Sequence, residues 1–479
     1  MTQPRHSRRI PHMSRIPHIM RTRHTMRTRP MTQTSHSGRI RHRTRARLAF
    51  ALAAAAIAAA VLLLGGLFHD SRGAVPAAPP EAAAGALENE LGTGDTASLV
   101  RSLQATLRRD RNDVHAYDLL GLAYQQRARE TGDPAYYTKS DGVLRRALAL
   151  SPKDLLATSG LGSLALSRHR FREALELGRR ARAISPTTAR SYGVIGDALV
   201  ELGRYRDAFA VFDTMARLRP GLAAYARVSY ARELRGNFGG AVAAMRLAVD
   251  AAADEPEPLA WTHVQLGKLY WSHGRLTAAA REYRTALLAY PGYVYALDAL
   301  AQVEAARGRH AYAIALERRA VETIPLPQFV TALGDLDRVT GHERFARRQY
   351  ALVRVIQRLL VANGVRTDLE AALFDVDHGV RLSHAVVLAR LAYRDRPSID
   401  GDDVLAWALA RTGHCGQALH FSQRALRLGT RDATKEFHRG MIERCLGHDA
   451  QARLWLRRAL DLNPHFSLLW APVARRYVA

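Results

Sequence analysis

Small and apolar residues recur along this chain at helical spacing, in pairs of segments joined by a glycine. The clearest stretch runs from Leu266 to Pro291, LGKLYWSHGRLTAAAREYRTALLAYP. Leu266, Gly267 and Tyr270 belong to a first helix; Ala279, Tyr283 and Ala286 share one face of a second, because positions three and four apart lie together on a helix. Gly274 stands where the chain must turn. Pro291 stands where the second helix must stop, since its ring cannot continue one. The same order returns at Gly308, Ala313, Ala320 and Pro325, and at Gly447, Ala452, Ala459 and Pro464. The turn glycines Gly203, Gly236, Gly274, Gly308, Gly341, Gly379, Gly413 and Gly447 are 33, 38, 34, 33, 38, 34 and 34 residues apart. A period near 34 does not arise from one compact core. It predicts an all-α array of stacked hairpins.

Other segments fit the register. They are Tyr117, Leu120, Gly121 and Tyr124 with Ala147 and Pro152; Leu161, Gly162, Ala174, Ala181 and Pro186; Ile195, Gly196, Ala208, Phe212 and Pro220; and Leu333, Gly334, Ala346 and Tyr350. Together these residues resemble the tetratricopeptide repeat, whose pattern is a Leu-Gly pair followed by Tyr, Ala, Phe or Tyr, Ala and Pro at these spacings. The resemblance covers Thr96 to Ala479 and gives ten units. It implies a right-handed superhelical solenoid whose first helices line a concave groove. Three places depart. The unit at Gly236 lacks its proline and meets an acidic loop, Asp254 to Pro258. The helix containing Tyr350 runs long. The unit at Gly379 needs one extra residue to bring Ala385, Ala392 and Pro397 into phase. The last two places are expected to bend the solenoid or divide it into two stacks. The final FSLLWAPVARRYVA reads as a capping helix.

The start of the chain differs. Leu48 to Phe68 has no charged residue and is long enough, as a helix, to span a bilayer core of roughly 30 Å. Residues 1–47 hold thirteen arginines and no acid, half of the net charge of +26. Positive flanks stay cytoplasmic, so the expected arrangement is a disordered cytoplasmic tail (1–47), a transmembrane signal anchor (48–68), an Ala/Pro linker (69–95) and an extracytoplasmic solenoid (96–479). A cleaved signal peptide with a site in GAVPAAPP is the rival reading, and Met1, Met13, Met20, Met26 and Met31 are all possible starts. The tail's charge alone is unspecific, and no nucleic-acid partner is expected. Nearly all basic residues are arginine, the lysines being Lys139, Lys153, Lys268 and Lys435. With the many alanines this suggests a GC-rich, bacterial source.

Chemistry is sparse. No phosphate-binding loop or H-E-x-x-H occurs, and no cofactor, metal, small-molecule substrate or enzymatic activity is expected. DVDHG, Asp375 to Gly379, carries two carboxylates and a histidine but falls at a helix end, where such residues cap. Cys415 and Cys445 sit near the turns of adjacent units and are expected as packing thiols, a disulfide being open to them in an exported location.

By register, the residues projecting into the groove are Tyr230, Glu233, Trp261, Lys268, Trp271, Tyr295, Asp298, Gln302, Trp407 and Arg411. Aromatic anchors beside a few charges suit protein or peptide capture, although tryptophans could equally fill gaps between hairpins. The function expected is a membrane-anchored scaffold binding a protein or peptide partner on the exported side. The alternative is an accessory or assembly subunit of a membrane transport or secretion complex.

Overall fold

All eight turn glycines adopt a left-handed backbone, with φ between 66° and 84°. Side chains other than glycine enter this region at a cost. At each turn the N–H one residue beyond the glycine reaches back five positions, as in Arg204 N–H to Leu199 O (2.8 Å) and Arg275 N–H to Tyr270 O (2.9 Å). This closure satisfies carbonyls left open at the helix end. In the first unit Gly132 takes the position (φ 69°); in the second the non-glycine His169 does so (φ 55°).

The computed structural model describes residues 95–479 apart from Asp254. Among the described residues there are 22 helices and no strand. Helix α1 (Thr96–Arg109) precedes ten hairpins and α22 (Ala471–Val478) follows them. The hairpins are α2 (Val114–Thr131) with α3 (Ala135–Leu150), α4 (Leu155–Ser167) with α5 (Phe171–Ile184), and α6 (Ala189–Glu201) with α7 (Tyr205–Leu218). Next come α8 (Leu222–Leu234) with α9 (Phe238–Ala251), α10 (Pro256–Ser272) with α11 (Leu276–Ala289), and α12 (Val294–Ala306) with α13 (His310–Thr323). The last four are α14 (Pro327–Val339) with α15 (Glu343–Ala362), α16 (Asp368–Asp377) with α17 (Leu382–Asp395), α18 (Ile399–Arg411) with α19 (Cys415–Ala425), and α20 (Ala433–Cys445) with α21 (Asp449–Leu462). Helices α3, α5, α7, α11, α13, α17 and α21 each end two residues before a proline, because the residue preceding proline is driven out of the helical region.

The Leu-Gly pair has a steric meaning. A Cβ on Gly267 would stand 2.2 Å from the Tyr283 ring, one on Gly196 2.2 Å from Phe212, and one on Gly334 2.6 Å from Tyr350. Each glycine is the seat of a bulky side chain from the second helix. The alanines seven apart on those second helices, such as Ala279 with Ala286 and Ala313 with Ala320, are fully buried. First helices are buried nearly all round; α18 buries ten of its thirteen residues. Second helices bury one face and carry arginines outward.

Two of the departures take definite form. Helix α15 is 20 residues long, and the core thins where it meets the next hairpin, passing through the small cluster Val330, Val353 and Phe374. The acidic loop is short, since α10 already starts at Pro256. The expectation of packing thiols is corrected: Cys415 and Cys445 are joined, with Cα atoms 5.8 Å apart. Stacking sets the start of α19 beside the end of α20, so the two turns bring the sulfurs together. The apolar stretch Leu48–Phe68, with the tail and the linker, lies outside the described residues. Among those described, no helix is long and apolar enough to cross a membrane.

The hairpins also meet beyond their neighbours. A Cβ on Gly203, in the third turn, would lie 2.4 Å from the carbonyl oxygen of Pro397, and one on Gly236 2.4 Å from that of Gly429. Gly132 approaches Ile324, and Gly274 the Leu462 carbonyl, in the same manner. In the second turn Arg366 N–H donates to Arg168 O (3.1 Å), and His169 Nδ1 lies 2.8 Å from Arg366 O. Tyr205 Oη accepts from Ile399 N–H at 2.7 Å. Five successive turns thus dock on the loops that follow the hairpins five units later. The superhelix closes a full turn along this seam, and its first helices surround an interior.

A candidate binding channel

The inner wall is built where first helices present the residues left over from packing. On α8, Tyr230 keeps 38% of its surface exposed and Glu233 is half-buried. On α10, Lys268 is exposed, and Trp261 and Trp271 are half-buried against the central core. On α12, Tyr295 is half-buried and stacks edge-on with Phe329 (5.6 Å). Asp298 is buried there, and Gln302 Nε2 donates to both its carboxylate oxygens at 3.2 Å. Burial raises the Asp298 carboxyl, and the buried Glu317 beside it is raised by burial and by Asp298 itself. Two carboxyls in one dry place cannot both ionise.

Trp407 and Arg411 on α18 are not on an open wall. Trp407 is 1% exposed. Its indole N–H donates to Asp377 Oδ1 (2.9 Å), and the Trp470 indole donates to the same oxygen (3.1 Å). The Arg411 guanidinium lies 5.3 Å from the Trp407 ring and 5.0 Å from that of Trp470, and donates to Val376 O (2.8 Å). The DVDHG segment is thereby a structural junction. His378 Nδ1 meets Phe374 O (2.7 Å) and Nε2 meets Asp335 Oδ1 (2.8 Å). Both partners are acceptors, so both ring nitrogens donate. Burial opposes the imidazolium, but Asp335, the Phe374 carbonyl and Asp377 together outweigh it and raise the pKa. Asp375 pairs with Arg381 at 2.9 Å.

Several inner residues were not read from the sequence. Lys435 on α20 is buried between Asp400 (2.8 Å) and Asp432 (2.6 Å). Burial works against its ammonium, yet the two carboxylates hold the pKa well above the ordinary lysine value. His438 is 1% exposed, 2.9 Å from Asp403 and stacked 4.5 Å from Trp407. Asp335 occupies the position after the Leu-Gly pair, as Lys268 does in the α10 pair, so the repeat register could have found it. Phe466, Leu468 and Trp470 lie past the last repeat, where no register applies.

Two cavities adjoin in this interior. One of about 570 Å³ is lined by Trp271, Gln302, Asp335, Asp377, His438 and the 465–470 segment, among others. One of about 260 Å³ has Tyr230, Glu233, Asp400, Lys435 and Phe466 in its wall. Among the described residues no group of three or more His, Cys, Asp or Glu side chains is arranged to hold a metal ion.

The tetratricopeptide-repeat family model matches residues 137–189, 194–256 and 264–326. These segments are tetratricopeptide repeats. The chain's repeats are also similar to solved structures. TTC0263, a thermophilic TPR protein of Thermus thermophilus, is 25% identical over 42% of this chain and 99% of that one, with a TM-score of 0.35. The Cut9–Hcn1 hetero-tetramer of APC/C matches at 13% identity over 79% of this chain and 92% of that chain, TM-score 0.36. YrrB, a TPR protein with an unusual peptide-binding site, matches at 16% over 38% and 91%, TM-score 0.26. At these TM-scores the likenesses carry no functional argument. No curated protein sequence matches the chain.

One titration in the TPR channel has a sign that can be checked. Burial, then Asp432, push the Glu233 carboxyl up to about 7 against the pull of Lys435 and Lys268. The folded protein therefore binds a proton that the unfolded chain has released, and stability falls as pH rises from the ordinary glutamate range through this value. Glu233→Gln removes the titration. It should melt like the wild type below about pH 4. At pH 8 it should be the more stable by roughly 1–3 kcal/mol. Thermal melts across pH check this, and a difference independent of pH would refute the assignment.

Proposed function

We propose that this protein is a scaffold that holds a segment of a partner protein inside its superhelical channel. It is tethered by Leu48–Phe68, with the repeats on the exported side. The observation that carries the reading is the seam. With turns docked on loops five hairpins later, the inner faces of the first helices enclose a channel instead of an open groove, and an enclosed channel admits a chain segment more readily than a folded surface. Its wall offers apolar area at Trp271 and Trp261, and hydrogen-bonding groups at Lys268 and Gln302, the mixture that anchors peptides. The family suits the same reading, since TPR arrays serve protein and peptide binding. The joined Cys415 and Cys445 accord with an oxidising, exported location. The charge imbalance across residues 48–68 accords with a cytoplasmic amino terminus.

The test is site-specific photo-crosslinking in the native host. A crosslinker at Lys268 or Gln302 should capture one common partner, and a crosslinker at the outward Arg281 should not. Protease added to spheroplasts should cleave the repeats. Capture from Arg281 alone would refute the channel, and repeats protected with the tail exposed would reverse the topology.

A further inference from the structure

The stretch from Asn463 to Trp470 joins α21 to α22 without being helical. A terminal cap needs to cover only the last exposed apolar face of such an array. This segment does more. Asn463 Nδ2 donates to the Trp271 carbonyl on α10 (2.9 Å), five hairpins away. Phe466 packs on Phe437 of α20, ring centroids 5.3 Å apart. Leu468 lies against the core cluster shared by α8 to α14. Trp470 sits edge-on to Trp407 at 5.4 Å and donates to Asp377 of α16 across 93 residues of sequence. The stretch is turned: Phe466 N–H donates to Asn463 O (3.3 Å) and Ala471 N–H to Ser467 O (3.2 Å), so a compact loop carries Phe466, Leu468 and Trp470 into the interior.

We propose that Phe466–Trp470 is an internal ligand of the channel. The site recognises a turned segment with bulky apolar side chains at its first, third and fifth positions, the last an indole whose N–H reaches Asp377. The chain's own copy fills that site until a partner segment displaces it. The 570 Å³ cavity between this stretch and Trp271 gives the incoming segment a place to engage first. The proposal rests on the channel reading above and adds the partner's chemistry and a gate. Binding to a site that is mostly self-occupied is weakened by the fraction of molecules in which it is free.

The probe is a fluorescein-labelled peptide of sequence HFSLLW, titrated by anisotropy against the full chain. Trp470→Ala should bind it at least about tenfold more tightly than the wild type, as expected if the site is free in a tenth of molecules or fewer. Trp455→Ala, on the outer face between Arg439 and Arg458, should bind it as the wild type does. The peptide HFSLLA should lose the gain. If Trp470→Ala fails to fold, Trp470→Phe keeps a ring but not the N–H donor, and should show a smaller gain. Equal affinity for all variants, or no binding to any, overturns the internal ligand. Crosslinking from Lys268 and Gln302 then decides separately whether the channel reading stands.

Discussion

Gly267→Leu is expected to unfold the middle of the array, and Lys268→Ala to leave it almost untouched. The two residues are neighbours in sequence and opposite in environment. A Cβ at Gly267 would lie 2.2 Å from Cε1 and 2.6 Å from Cδ1 of the Tyr283 ring, which is itself 1% exposed. A leucine can be housed only by expelling that ring. The expected loss is about 3–5 kcal/mol, the range for removing a buried aromatic from a core. Because each hairpin is stabilised chiefly by its neighbours, the loss should spread to α8–α9 and α12–α13. Lys268 is exposed, so its truncation should cost no more than about 0.5 kcal/mol. Thermal melts followed by circular dichroism measure both. Equal shifts would mean that the two residues do not face opposite sides of α10.

Gly203→Val with Gly236→Val is expected to open the superhelix while keeping its helices. Both glycines have φ of +70°, and a side chain in that region costs roughly 1–2 kcal/mol at each position. The larger effect is steric. Each new Cβ would press on a backbone carbonyl oxygen 2.4 Å away, that of Pro397 or Gly429. Backbone cannot rotate aside as a side chain can, so the seam must part. Gly413→Val with Gly447→Val is the matched control. Those residues have φ of +81° and +79°, and nothing lies within 4 Å of either Cβ position. The control should lose comparable local stability and keep its radius of gyration. The seam variant should show a larger radius by small-angle scattering. The same radius for both pairs would show that closure does not depend on these contacts.

Hairpin existence and boundaries were legible because their causes are local. A glycine at each turn is demanded by a positive φ, a proline two residues past a helix by the residue it excludes, and a pair of alanines seven apart by the close crossing of two helices. The long α15 was legible for the same reason, as an apolar run without a breaker. The inner wall was partly legible. Lys268 and Trp271 follow from the register of α10, and Asp335 could have been found by carrying that register forward to α14. Trp407 and Arg411 were placed on the right helix, but what covers them, Trp470, belongs to no repeat.

The sequence by itself determined ten hairpins, their register and the faces on which they pack, since each depends on contacts within about one repeat length. Only the tertiary structure decided the seam, the Cys415–Cys445 pairing and the packing of residues 463–470 against α10, α16 and α20. Superhelical curvature is the sum of small rotations from one hairpin to the next, and no single repeat encodes it. The seam is made largely of backbone, Gly203 against the Pro397 carbonyl and Arg366 N–H to the Arg168 carbonyl. Backbone atoms are common to every residue type, so such contacts leave no pattern along the chain.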